Sequence, residues 1–194
     1  MSDDDIKEIP KALNGIKDDT ERLGFTMASE PKTGSLLRTL AASKPGGRFL
    51  ELGTGTGVGT TWLLAGMDSE SRLETVESDA TVLEIAKRHL GRDPRVTFHL
   101  IDAAEFLSQP HPQFDLIYAD TWAGKFTHLD LALSLLRVGG IYFVDDLLPQ
   151  PPWPEGHAPR VAVLIADLEN RPGFAATKLA WASGLMMLVR TNGL

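Results

Sequence analysis

The chain has no cysteine, which excludes disulfides, thiolate zinc centres and cysteine nucleophiles. Long apolar runs are missing too, and none approaches the roughly 18 residues that a membrane span needs. The first residues read Ser2-Asp3-Asp4-Asp5, without the positive start and apolar core of a signal peptide, so a cytoplasmic location is expected. Positive charge is also scarce. Lys and Arg number 19 against 26 Asp and Glu, a net charge of −7, and no long basic run interrupts the acid excess. Nucleic acid and acidic lipid are therefore not the expected partners. What is there is a chain of 194 residues, 43% hydrophobic and 23% charged. Those values suit one folded domain over 1–194 and argue against a disordered or fibrous chain.

From Arg48 onward, short apolar runs rich in β-branched and aromatic residues alternate with amphipathic stretches, the pattern of a parallel sheet with helical crossovers. The strand candidates are Phe49–Leu52, Leu73–Val76, Val96–Ile101, Phe114–Ala119 and Ile141–Val144. Helices are expected over Gly59–Ala65, Ala80–Leu90, Ala103–Leu107 and Thr127–Leu136, the last ended by Gly139-Gly140. A further helix is expected near Arg160–Asn170. The final runs Ala175–Trp181 and Leu185–Arg190 are split only by Ser183-Gly184 and must pair antiparallel. Upstream, Pro10–Leu23 and Lys32–Ser43 read as helices, with Thr33 or Ser35 available to cap the second. Residues 1–45 then form a helical cover over a core of residues 46–194.

Each strand candidate contains or is closely followed by an acid: Glu51, Glu77, Asp102, Asp120 and Asp145. Their spacing is about one βα unit, and the carboxyl ends of parallel strands share one edge, so these five acids should gather around one crevice. The stiff segment Pro149-Gln150-Pro151-Pro152-Trp153-Pro154 follows the fifth strand.

The first strand leads into Glu51-Leu52-Gly53-Thr54-Gly55-Thr56-Gly57 and then a helix, where bare backbone can approach a nucleotide-like ligand. A dinucleotide fingerprint fails on register, because Val58 or Thr60 stands where the third glycine belongs. A P-loop fails as well, since no Gly-Lys-Ser/Thr ends the turn. This E-x-G-x-G-x-G run resembles the cofactor motif of the Rossmann-like S-adenosylmethionine-dependent methyltransferases, and the resemblance extends over about residues 24 to 190. It implies an α/β fold with a seven-stranded, mostly parallel sheet, helices on both faces and a last antiparallel pair. It implies cofactor contacts at Met27, Glu51, Gly53, Thr54, Gly55, Gly57, Ser78 and Asp120, with Glu77 on the ribose hydroxyls and Asp102-Ala103 at the adenine.

Within that class the chain is most similar to the small catechol- and caffeoyl-type O-methyltransferases, which carry N-terminal helices and bind a divalent cation. The matching metal positions are Asp120, Asp145 and Asp146, oxygen ligands suited to Mg²⁺ or Ca²⁺. Two departures stand out: Asp146 replaces an asparagine, and Ala123 stands where the family has a lysine, the nearest being Lys125. Asp120, Lys125 and His157 are the catalytic candidates, and His128 is a further base. Trp122 and the Trp153–His157 loop suit walls for a flat acceptor. His89, His99 and His111 lie outside any motif and are assigned to structure.

The resemblance thus implies methylation of a small hydroxylated aromatic, assisted by a divalent metal. The partners expected are a small-molecule substrate and a second copy of the chain. Two alternatives stay open at this point: a metal-independent enzyme acting on a nitrogen or carboxylate, and a non-catalytic interaction module.

Overall fold

The computed structural model describes residues 2–150 and 153–192; Pro151-Pro152 of the proline-rich segment lie outside them. Two helices, α1 (Leu13–Leu23) and α2 (Pro31–Ala42), precede an alternation of β1 (Arg48–Leu52), α3 (Val58–Gly66), β2 (Arg72–Glu77), α4 (Ala80–Leu90), β3 (Val96–Leu100), α5 (Ala103–Leu107), β4 (Phe114–Ala119), α6 (Leu129–Ser134) and β5 (Leu136–Val144). Then come α7 (His157–Glu169), β6 (Phe174–Leu179) and β7 (Leu185–Arg190). The sheet has seven strands in the order β3-β2-β1-β4-β5-β7-β6. Pairing is parallel from β3 to β5 and antiparallel from β5 through β7 to β6. This is the Rossmann-like methyltransferase arrangement that the motif implies. None of the helices is long and apolar enough to cross a membrane among the described residues.

Period-two alternation divides the central strands between two cores. Leu50, Leu52, Ile117 and Ala119 face the side covered by α5, α6 and α7. Phe49, Leu116 and Tyr118 face the side of α1, α2 and α3, where Trp62 is fully buried. Strands buried on both faces have no polar outer row, so any acid in them must be satisfied inside the protein. Glu51 is such an acid, between Leu50 and Leu52.

Several boundaries shift by a few residues, and two of the differences have a clear physical reason. The helix expected over Thr127–Leu136 ends at Ser134, and Leu136 already pairs with Phe114 as the start of β5. The next pair is Leu116 with Ile141, so Arg137–Gly140 form a bulge with Gly139 at φ 76°. Gly140 is needed there because a Cβ would stand 2.8 Å from the Arg137 carbonyl oxygen and 3.1 Å from that of Phe114. The glycine pair serves a bulge and not a helix end. Likewise Pro31 opens α2 at its first turn in place of a Thr33 or Ser35 cap, and Thr33 is buried.

Candidate active site

Leu52, Ala119 and Val144 stand in register across β1, β4 and β5. The residues that follow them, Gly53, Asp120 and Asp145, therefore leave the sheet side by side at its carboxyl edge. The chain runs outward from β1 on one side and from β4 on the other, which makes the gap between these strands the place where such sheets open a ligand crevice.

Gly53, Gly55 and Gly57 have φ of 99°, 53° and 94°, a region that side chains disfavour. A Cβ on Gly53 would stand 2.7 Å from the Asp120 carbonyl oxygen, and one on Gly57 2.9 Å from the Ala86 Cβ. The protein's own packing thus demands both. A Cβ on Gly55 would meet only the Phe25 ring, at 3.4 Å. Thr54 turns inward, its hydroxyl 2.6 Å from that of Thr75. Glu77 ties the turn to β2: its Oε2 accepts from the Gly55 N–H at 3.0 Å, and its Oε1 from the N–H groups of Ser78 and Asp79 at 2.8 and 3.0 Å.

Glu51 lies beneath this turn, fully buried, its Oε2 accepting from the hydroxyls of Thr60 at 2.5 Å and Thr75 at 2.6 Å. Its Oε1 has no partner among the described residues. Burial pushes the carboxyl up to about 7, the two threonines pull the other way, and Glu77 adds to the rise. Asp102 caps α5 through the N–H of Ala104 at 2.7 Å and is exposed. Gly53, Glu77, Ser78, Asp102, Ala103 and Trp122 line a cavity of about 230 Å³. The N-terminal elements reach the glycine turn and the end of β4: the hydroxyl of Thr20 in α1 is 2.8 Å from that of Thr56, and Ser29 Oγ, in the segment after α1, is 3.1 Å from the Tyr118 hydroxyl. Met27 is 76% exposed.

Beside this cavity three acids and a lysine meet. Tyr118 OH stands 2.8 Å from Asp145 Oδ2 and 3.1 Å from Asp120 Oδ2. Asp145 Oδ1 accepts from Ser183 Oγ and, at 2.8 Å, from the Asp146 N–H. Lys125 is buried, with Nζ 2.8 Å from the Asp145 carbonyl oxygen, 3.5 Å from Asp120 Oδ1 and 4.0 Å from Asp146 Oδ2. Burial drives the Asp120 carboxyl well above the usual carboxylate range; Lys125 opposes this, while Asp145 and Asp146 add to it. Burial also raises Asp145, and Asp146 reinforces the shift. Asp146 has φ 62° and a half-exposed side chain.

A backbone turn brings the lysine in. Lys125 N–H and Phe126 N–H both point to the Trp122 carbonyl, at 3.2 and 2.9 Å. Gly124 has φ 91°, and a Cβ there would lie 2.7 Å from Leu52 Cδ1. His157 is elsewhere, at the start of α7, with ring centroids of Trp153, Phe126 and Trp122 at 4.7, 5.2 and 5.7 Å. Its buried Nδ1 has no partner among the described residues. His128 is exposed at the start of α6. Trp122, 47% exposed, lines both the small cavity and a groove of about 840 Å³ bounded by Lys125, Phe126, His128 and Arg160.

The model of the methyltransferase-domain family matches residues 50–147. The chain belongs to that family. Among the relatives of this methyltransferase-domain chain is a Mycobacterium ulcerans protein named "Putative O-methyltransferase", 34% identical over an alignment of 126 residues and covering 60% of this chain. The chain spans 55% of the length of the curated relatives it matches. Among solved structures, the O-methyltransferase TomG of Streptomyces achromogenes, involved in tomaymycin synthesis and complexed with SAM, has a TM-score of 0.81 at 23% identity, covering 95% of this chain and 92% of that one. An O-methyltransferase of Bacillus cereus complexed with SAH has a TM-score of 0.83 at 22% identity, covering 97% and 94%. Likeness at that level of identity speaks to the fold.

The resemblance to the catechol- and caffeoyl-type O-methyltransferases implies a divalent ion on Asp120, Asp145 and Asp146, and the residues do not fit one. Both carboxylate oxygens of Asp145 are engaged by Tyr118, Ser183 and the Asp146 N–H. The oxygens that do face one another hold an ammonium between them. Among the described residues no group of three His, Asp or Glu side chains is arranged to hold a metal ion.

Three residues of this site escaped the sequence. Tyr118 lies two positions before Asp120 on one strand face, so period two could have found it. Ser29 and Ser183 reach the acids from 91 and 38 positions away; Ser29 lies in Met27-Ala28-Ser29-Glu30, which resembles a cofactor-touching segment of the family, but no local pattern marks either contact with the acids.

Proposed function

We propose that this protein transfers a methyl group from S-adenosylmethionine to an oxygen of a small hydroxylated aromatic. One observation supports the reading: Gly53 at the head of the glycine turn, Glu77, Asp102 and Thr121, the neighbour of Asp120, line one cavity at the switch point of the sheet. The free side of Gly55 suits a ligand lying against bare backbone. Glu77, held by three N–H groups, would present its carboxylate to ribose hydroxyls, and Asp102 with Ala103 would flank the adenine. Met27 and Ser78 would close the cavity from its exposed side. Gly53, Thr54 and Gly57 would shape the turn, and Glu51 would hold it from below. The helical cover of residues 1–45 supports this through Phe25 and Ser29.

When bound, the cofactor supplies a methyl group on a sulfonium, which an acceptor oxygen takes in line. The protein's part is alignment and proton removal. Asp120, whose burial raises its proton affinity, would take the acceptor's proton, and Lys125 would hold the resulting negative oxygen by charge. Trp122, Phe126 and Trp153 give the flat apolar surface that an aromatic acceptor needs, and His157 packs their edges together. Calorimetry with S-adenosylmethionine and turnover on catechols, phenols and amines test this. Binding with transfer to phenols is expected. Transfer to amines alone would overturn the acceptor, and absence of binding would overturn the cofactor in favour of an interaction module.

A further inference from the structure

We infer that the ammonium of Lys125 is the resident cation of this site, so that methyl transfer here proceeds without a divalent ion. The inference rests on reading the ends of β4 and β5 as the transfer site. Three observations carry it.

First, an ammonium has three N–H donors, and Lys125 Nζ faces three oxygens: the Asp145 carbonyl at 2.8 Å, Asp120 Oδ1 at 3.5 Å and Asp146 Oδ2 at 4.0 Å. Magnesium and calcium need six or more oxygens at about 2.0–2.6 Å, and Nζ already takes up the space among these three. Second, the side chain is only 5% exposed, a burial that lysine tolerates when acids surround it. Third, the turn that aims it is anchored far from the loop itself. Tyr142 on β5 donates its hydroxyl to the Gly124 carbonyl, and a Cβ at Gly124 would meet both that hydroxyl and Leu52. The backbone that carries the lysine is therefore fixed, and the side chain starts from inside the site. Asp146 in place of a neutral amide fits the same picture, since its added charge lies toward an ammonium already present.

Mn²⁺ titration of the full chain, followed by electron paramagnetic resonance, needs no cofactor and so fails independently of the proposed activity. The wild-type protein should leave the free Mn²⁺ signal unchanged up to about 1 mM, the weak end of oxygen-ligated cation sites. Lys125→Ala, which leaves the three oxygens facing an empty place, should bind one Mn²⁺ per chain, and Lys125→Arg should behave as wild type. Turnover of the wild-type enzyme should be unchanged after EDTA dialysis. Stoichiometric Mn²⁺ binding by wild type, or loss of its turnover in EDTA, would overturn the inference. A folded Lys125→Ala protein that ignores Mn²⁺ would do so as well; should that variant not fold, the two wild-type measurements decide alone.

Discussion

The hydroxyl of Tyr118 bridges Asp145 and Asp120, 2.8 and 3.1 Å from one oxygen of each. Burial and both acids keep the phenol well above its ordinary value, so it stays protonated, with one hydrogen to give and Asp145 the nearer acceptor. Tyr118→Phe would leave Asp145 Oδ2 without its donor at 2.8 Å and Asp120 Oδ2 with only Ser29 Oγ at 3.5 Å. A loss of about 1–3 kcal/mol in urea unfolding is expected, with reduced turnover. Unchanged stability would mean that the acids find other donors.

Gly53 and Gly55 should respond differently. Gly53→Ala forces a Cβ to 2.7 Å from the Asp120 carbonyl oxygen, so both stability and S-adenosylmethionine binding should fall. At Gly55 the nearest obstacle is the Phe25 ring at 3.4 Å, and the left-handed backbone alone costs about 1–2 kcal/mol. Gly55→Val should stay folded and lose the cofactor, as calorimetry beside a thermal melt would report. Normal affinity in that variant would remove Gly55 from the cofactor site.

Glu77→Gln should weaken S-adenosylmethionine by roughly tenfold or more, because a charge-assisted hydrogen bond to a ribose hydroxyl becomes a neutral one. An unchanged dissociation constant would mean that Glu77 only holds the turn.

Glu51 should give stability a specific pH dependence. Its carboxyl rises from 4.5 in the unfolded chain to about 7 in the folded one. Between those values the folded protein keeps a proton that the unfolded chain has released, so stability falls as pH rises through the window. At pH 8 the burden is about 3 kcal/mol, and Glu51→Gln should lift it. The advantage of the variant in urea unfolding should be small at pH 4.5 and grow up to pH 8. An equal difference at both ends would show that the carboxyl ionises normally.

The βα rhythm was legible because hydrophobic periodicity is local, and the antiparallel end because Ser183-Gly184 is too short for a crossover. The glycine turn was legible since strand, glycines and helix follow one another directly. The start of β5 was not. Leu135-Leu136 continue the apolar spacing of α6, and only the pairing of Leu136 with Phe114 decides between helix and strand.

By itself the sequence determined which strands exist and that each of the first five contains or is followed by an acid, and it pointed to a nucleotide-like ligand at the first turn. These follow from spacing along the chain. Tertiary structure alone decided what each acid does. Glu51 faces Thr60 and Thr75 because β1 is buried on both sides. Asp145 is taken up by Tyr118 and by Ser183 from the turn between β6 and β7. Lys125 points inward because Gly124, Leu52 and Tyr142 pack against one another. The physical reason is common to all three: a buried charge is oriented by whichever partners the fold brings to it, and those partners are distant in sequence.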